Sequence, residues 1–253
     1  MGEANARHDF AIVDETDDYV VVEKPPFLLV HPTKPSAART LWGEMRHLLA
    51  YEIANGGQVS IVNRLDRETS GLVLVAKTSA AARRFGLLMQ AQQVAKEYTA
   101  IVCGWPEWDS TMVDLPIGRK GAFGASAIYL QQTIHPEGAA AVTEFRVERR
   151  FVRASGGGER FSIIRAIPRT GRTHQIRVHL ASLGHAVIGD KIYGPDERLY
   201  LEFIRTGWTA DLARRLLLPR HALHSSRLAI EGVGEWKSDL SPDLKHWITA
   251  ITP

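Results

Sequence analysis

The sequence predicts an α+β fold with a largely antiparallel sheet. Two observations carry that reading: runs of strand length recur along the whole chain, and helical apolar spacings fall between them without a regular strand-helix-strand rhythm. A third bears on domain organisation. The 253 residues are 45% hydrophobic and 23% charged, with no internal repeat, low-complexity tract or long linker, as expected of one core of ordinary size. Residues 1–9 are expected to be a flexible N-terminus, and residues 10–253 a single domain.

Tyr19–Lys24 reads as a strand stopped by Pro25-Pro26, which lack amide donors and fix φ. The chain is expected to resume as a second strand, Phe27-Leu28-Leu29-Val30-His31. Leu41, Met45, Leu48 and Leu49 have the spacing of one buried helix face between Thr40 and Tyr51. After Gly56-Gly57, Val59–Val62 leads into the polar segment Asn63–Gly71. Leu72–Ala76 follows, and its unbroken apolarity predicts a strand covered on both faces. Ser79 is the expected cap of a helix from Ala80 to about Gln93, with Phe85, Leu88, Met89 and Gln92 along one side.

Glu97 to Val102 has strand alternation, with Tyr98, Ala100 and Val102 on one face. Gly156-Gly157-Gly158 is expected to turn a hairpin between Phe145–Val152 and Phe161–Ile167. Pro168 closes the second of these strands. The turn Arg169-Thr170-Gly171-Arg172 then leads to Thr173, the expected N-cap of a helix ending near Gly184, with Ile176, Leu180 and Leu183 as its apolar stripe. Arg177 lies one step around from that stripe, where an arginine normally points at solvent or flanks the core.

Composition removes several function classes. The single cysteine, Cys103, excludes an intrachain disulfide and a multi-cysteine zinc site, and is expected to be a small buried apolar residue in a reducing compartment. No stretch approaches the roughly 20 apolar residues of a membrane span, and the first residues lack a signal-peptide core, so the cytoplasm is the expected location. The net charge of +3 is a weak pointer to an acidic partner. Its distribution says more. Arg160, Arg165, Arg169, Arg172 and Arg177, with His174, His179 and His185, fall between residues 160 and 189 without one Asp or Glu. That run suits a phosphate backbone better than an ordinary solvated face.

The densest chemistry lies in Asn63-Arg64-Leu65-Asp66-Arg67-Glu68-Thr69-Ser70-Gly71. With an extended backbone, Arg64 and Asp66 project to one side while Leu65 anchors the other. Alone, the segment reads equally well as a salt-bridged turn or as an active site. Two further marks favour the second: Lys96-Glu97-Tyr98 at a strand start, and Arg169-Thr170-Gly171-Arg172-Thr173-His174-Gln175-Ile176-Arg177.

In these three motifs and their order the sequence closely resembles the RluA-type family of RNA pseudouridine synthases. The likeness extends to Val22-Glu23-Lys24-Pro25, to Gly184-His185-Ala186-Val187-Ile188-Gly189-Asp190 and to His221-Ala222-Leu223-His224, and so runs from about Phe10 to about Ile230. The resemblance implies the pseudouridine synthase fold, a curved, mixed, mostly antiparallel sheet with flanking helices and a central cleft. It also implies isomerisation of uridine in tRNA or rRNA. Breaking the N1–C1′ bond, turning the base and rejoining through C5 is redox-neutral, so neither cofactor nor metal is expected. The expected partner is an RNA stem-loop, the expected state a monomer.

The resemblance assigns Asp66 as the catalytic aspartate, ionised at the start whether it then attacks the sugar, attacks the base or takes a ribose proton. Burial raises a carboxylate pKa unless a cation offsets it, and Arg177 matches the family arginine that pairs with this aspartate. Tyr98 matches the tyrosine that stacks on the target base, its hydroxyl a candidate for handling the C5 proton. Arg64 matches the arginine that stacks where the flipped base has left. Arg67, Thr69, Arg169, Arg172, Thr173, His174 and Gln175 are the further RNA-binding candidates. Arg205 to Arg220, with Arg214 and Arg215, reads either as more RNA-facing surface or as an ordinary amphipathic helix.

Two departures from the family stand out. The usual histidine before Arg64 is Asn63, which affects substrate subclass more than activity. Only about nine residues precede the first strand, so an S4 RNA-binding domain is not expected, and RNA affinity is expected from the catalytic domain itself. The competing readings are a non-catalytic RNA-binding protein, which leaves Tyr98 unexplained, and a base glycosylase, which would release uracil.

Overall fold

A computed structural model describes residues 10–32, 39–153 and 159–249. In chain order, β1 is Ala11–Glu15, β2 Tyr19–Lys24, α1 Leu41–Leu48, α2 Ala50–Ala54, β3 Ser60–Ile61, β4 Ser70–Ala76 and α3 Ser79–Gln90. Then come β5 Val94–Cys103, β6 Ser110–Asp114, β7 Ile117–Arg119, α4 Lys120–Phe123, β8 Gln132–Ile134, β9 Val142–Arg153 and β10 Glu159–Pro168. The order closes with α5 Gln175–Ser182, α6 Arg198–Thr206, α7 Ala210–Leu216, β11 Leu223–Ile230, β12 Gly234–Lys237 and α8 Pro242–Thr249. The fold is α+β with antiparallel strand pairing, as the sequence predicts. Two compact units form: Met1–Val94 with Ser225–Ser241, and Ala95–His224 with Pro242–Pro253.

In the first unit β2 pairs antiparallel with both β1 and β4, bringing Tyr19 opposite Ala76 and Val21 opposite Leu74. Every residue of β4 is buried, which accounts for its continuous apolar sequence. Tyr19, Val21, Leu72, Leu74 and Ala76 form a core with Ala81 and Phe85 of α3 and with Leu228, Ile230 and Trp236 of the β11–β12 hairpin. Tyr19 meets Phe85 and Trp236 edge-on at centroid distances of 5.9 and 5.5 Å, a favoured aromatic geometry.

Three local expectations change here. The cap of α3 is Thr78, whose hydroxyl accepts from the Ala81 amide, while Ser79 donates to Gln58. The single helix expected from Thr40 to Tyr51 is two, capped by Thr40 and broken at Leu49. The strand expected at Phe27–His31 is a turn with one parallel bridge, Leu29 to Thr40, because Phe27 takes a left-handed φ of 69°.

Gly71 is fixed by its surroundings. Its φ is 107°, and a Cβ there would lie 2.3 Å from the Ser225 carbonyl oxygen of β11. The close approach lets the Ser225 hydroxyl reach the Leu72 carbonyl at 3.3 Å. Replacing Gly71 by alanine is therefore expected to destabilise the fold by about 3 kcal/mol or more. Denaturant unfolding of Gly71→Ala checks this, and an unchanged midpoint would contradict the packing described.

The second unit is a four-strand meander in space, β5–β10–β9–β6. The expected hairpin partners do pair, β9 with β10, while Gly156-Gly157-Gly158 lies outside the described residues. Ala166 stands opposite Tyr98 on β5 and Phe145 on β9. At the other end of the hairpin Phe161 meets Trp247 of α8 edge-on at 5.0 Å. Cys103 is exposed, contrary to expectation, because it is the last residue of β5. The segment from Arg205 to Arg220 is not one helix. Within it Arg214 pairs with Asp211, Arg215 lies near Asp196, Glu202 and Asp211, and Arg220 is fully buried against Asp243.

Candidate active site

In the first unit the candidate nucleophile lies on a turn with buried supports. From Asn63 to Asp66 burial alternates as an extended backbone requires: Asn63 and Leu65 are buried, Arg64 exposed and Asp66 half-buried. The Thr69 amide then donates to the Asp66 carbonyl at 3.2 Å, closing a turn that leads through buried Thr69 and Ser70 into β4. The turn reading and the active-site reading are thus compatible, because the turn presents Asp66.

Asn63 clamps this turn to β4. Its Nδ2 donates to the Leu72 carbonyl at 3.1 Å, and its Oδ1 accepts from the Leu74 amide at 2.8 Å. The amide satisfies two backbone groups with no titratable ring, so Asn63 has a framework role in this chain. Arg64, by contrast, makes no hydrogen bond or ion pair among the described residues. Its charge, after burial, helps to hold the His31 pKa below the usual imidazole range. Arg67 is exposed and donates to the Phe27 carbonyl at 3.4 Å.

In the second unit Tyr98 is buried on β5. Arg177 is buried too, at 4% exposure, which corrects the expectation of a solvent-facing or flanking side chain. Helix α5 is buried at every position from Gln175 to Leu180, so it has no solvent face in that stretch. The cost of burying the guanidinium is offset by Asp190. Arg177 Nε donates to Asp190 Oδ2 at 2.6 Å and Nη2 to Oδ1 at 2.8 Å, while the amides of Ile192 and Tyr193 donate to Oδ1 at 3.0 Å each. Burial opposes ionisation of Asp190, but Arg177, with His221 and the Tyr193 amide, holds its carboxyl well below the usual carboxylate range.

Asp190, the last residue of the family-like stretch Gly184–Asp190, has no role assigned from the sequence. It is the first acid after the basic run, thirteen residues beyond Arg177, and that spacing was its only signal.

The turn before α5 is organised by Gln175, not by a Thr173 cap. Gln175 Oε1 accepts from the Arg172 amide and the Thr170 hydroxyl, and its Nε2 donates to the Val142 carbonyl and the Thr143 hydroxyl. Thr173 is exposed, and His174 enters the helix with a left-handed φ of 57° and no side-chain cap. The Tyr193 hydroxyl accepts from the Gln132 amide and lies 2.7 Å from His174 Nδ1. The ring of Tyr193 also lies under the Arg177 guanidinium, 5.0 Å from its centroid.

The basic run is less bare than it reads. Arg165 pairs with Glu148 and Arg169 with Glu144, acids that β9 places alongside, and Arg160 lies over Trp105 at 4.7 Å. Arg172 donates to the Ala140 carbonyl and stays exposed. Among the described residues no group of three or more His, Cys, Asp or Glu could hold a metal ion.

A family model described as RNA pseudouridylate synthase matches residues 18–182, a span holding Asp66, Tyr98 and Arg177. The chain belongs to the RNA pseudouridylate synthase family. It is accordingly an isomerase that converts uridine to pseudouridine in RNA. Among curated relatives it is 34% identical to ribosomal large subunit pseudouridine synthase D of Pasteurella multocida, over 95% of this chain and 70% of that one. With the Vibrio cholerae protein of the same name identity is 37%, over 87% of this chain and 62% of the relative. Among solved structures, human RNA pseudouridylate synthase domain containing 1 superposes with a TM-score of 0.70 at 25% identity, over 94% of this chain and 87% of that one. This likeness supports the pseudouridine synthase fold for the chain.

Proposed function

We propose that this synthase acts on large-subunit ribosomal RNA in the cytoplasm, as a monomer, with Asp66 as its catalytic aspartate and Tyr98 and Arg177 as partners in the reaction. The observation that carries the site assignment is Asp66 itself, half-buried on a turn whose neighbours Asn63, Leu65, Thr69 and Ser70 are all buried. A carboxylate held by so much framework is presented for use. The relatives' names support the choice of RNA.

In this reading Asp66 starts ionised, its charge supported by Arg177, while Tyr98 stacks on the extruded uracil. The N1–C1′ bond breaks, the base turns, a C5–C1′ bond forms, and the C5 proton leaves as N1 regains one. Nothing is oxidised or lost. Arg64 stacks where the base has left. Arg67, Arg169, Arg172, Thr173 and His174 hold backbone phosphates, with Thr69 and Gln175 acting through the turns they brace.

Incubation of unmodified large-subunit ribosomal RNA and bulk tRNA with the protein tests the substrate. Pseudouridine is expected at one or a few positions of the ribosomal RNA, with no free uracil. Product confined to tRNA would overturn the substrate assignment, and released uracil would make the protein a glycosylase.

A further inference from the structure

Among the described residues four lysines are buried: Lys24, Lys77, Lys96 and Lys191. Three are satisfied within the fold. Lys24 donates to the carbonyls of Pro25, Leu28 and Arg67, Lys77 pairs with Glu15 and Glu52, and Lys191 donates to the Pro219 carbonyl. Lys96, only 8% exposed, makes no hydrogen bond or ion pair among the described residues. Its Nζ is not among the fully buried polar atoms that lack a partner, so it keeps some contact with solvent while the surrounding burial removes part of its hydration. Burial accordingly pushes the Lys96 amine below the usual lysine range.

Its position points to the reaction. On β5 burial alternates, so Lys96 shares a face with Tyr98 two residues on, about 7 Å along the strand. Glu97 is on the other face, where it lies 3.6 Å from Arg165. Glu144 is already bound by Arg146 and Arg169. The Lys96 Nζ stands 3.8 Å from where a Cβ on Gly171 would be, beside the turn that carries Arg169 and Arg172.

We infer that Lys96 binds a backbone phosphate of the RNA next to the uridine being isomerised. The missing partner of an ammonium is an anion, and the phosphates are the only anions of an RNA. Uracil offers neutral carbonyls. The inference rests on the assignment of Tyr98 to the target base, since the shared face of β5 then places Lys96 within one nucleotide of that base. Its Coulombic gain appears only when substrate fills the site, so binding removes a cost that the free enzyme bears.

The test uses Lys96→Met, Lys96→Gln and Lys96→Arg in the full chain, with unmodified large-subunit ribosomal RNA transcript as probe. The slope of log Kd against log salt is expected to fall in magnitude by about 0.7 to 0.9 in the Met and Gln variants, the contribution of one phosphate contact, and to be kept by arginine. Catalytic efficiency of the neutral variants is expected to drop about ten- to a hundredfold. Their thermal stability is expected to equal or slightly exceed that of the wild type, because a partly desolvated cation is gone. An unchanged salt slope, or a lower melting temperature with the slope intact, would overturn the phosphate role and make Lys96 structural. Product formation by wild type in the same samples separately decides the substrate: pseudouridine with an unchanged slope fails Lys96 alone.

Discussion

Asp66→Asn is expected to lower pseudouridine formation by about 10⁴-fold or more, leaving a folded protein that still binds RNA. Asparagine keeps the shape and the hydrogen-bonding oxygen but carries no charge at any working pH, and every route open to Asp66 begins with the anion. RNA affinity should hold or rise slightly, because the substitution removes a negative charge from a surface that meets phosphates. Folding should be little affected, since the buried members of the turn are Asn63, Leu65, Thr69 and Ser70. The measurement is single-turnover conversion of ribosomal RNA, with circular dichroism and a binding isotherm on the same preparation. Conversion by the variant within tenfold of wild type would remove Asp66 from the reaction.

Arg177→Met is expected to fail twice, in folding and in catalysis. Deleting the guanidinium strands Asp190, which is fully buried and held ionised by Arg177, and breaking such a pair costs about 3 to 5 kcal/mol at neutral pH. Linkage gives the pH signature. In the wild type the Asp190 carboxyl has a folded pKa below its unfolded value near 3.9, so its contribution is present above that value and is lost as pH falls toward the folded one. In the variant burial still raises the Asp190 pKa, now opposed by His221 and the Tyr193 amide without the Arg177 guanidinium, so the carboxyl takes a proton at higher pH than in the wild type. The deficit relative to wild type should therefore shrink in acid as Asp190 takes a proton.

The double variant Arg177→Met, Asp190→Leu removes both buried charges and should recover much of the stability. Turnover is expected to stay lost if Arg177 also supports Asp66, and its return would confine the arginine to scaffolding. Denaturant melts across pH, paired with activity, distinguish these outcomes.

What was legible in the sequence had local causes. The stops at Pro25-Pro26, the apolar run of β4 and the alternation of β5 follow from backbone sterics and burial period, and β2 and β4 appear nearly where expected. The three motifs in order sufficed for the family. What was missed depends on residues far apart in sequence. A basic run of thirty residues looked bare because its counter-ions, Glu144 and Glu148, arrive from the neighbouring strand and Asp190 from just beyond its end. Arg177 was expected near solvent because an amphipathic stripe was assumed, whereas α5 is wrapped on all sides. The Thr173 and Ser79 caps failed for a more local reason: Gln175 braces the turn by accepting from the Arg172 amide ahead of Thr173, and Thr78 takes the Ala81 amide.

The contact between Gly71 and Ser225 also sets an order of events during synthesis. The segment bearing Asp66 emerges early, yet β4 lacks its β11 neighbour until Ser225 has been made, and Ser70 meets Ser241 later still. These pairings span 153 and 171 residues, so their loop closures come late. A nascent chain therefore carries Asp66 beside an unfinished strand edge until residues 225–241 have been made and can close against β4.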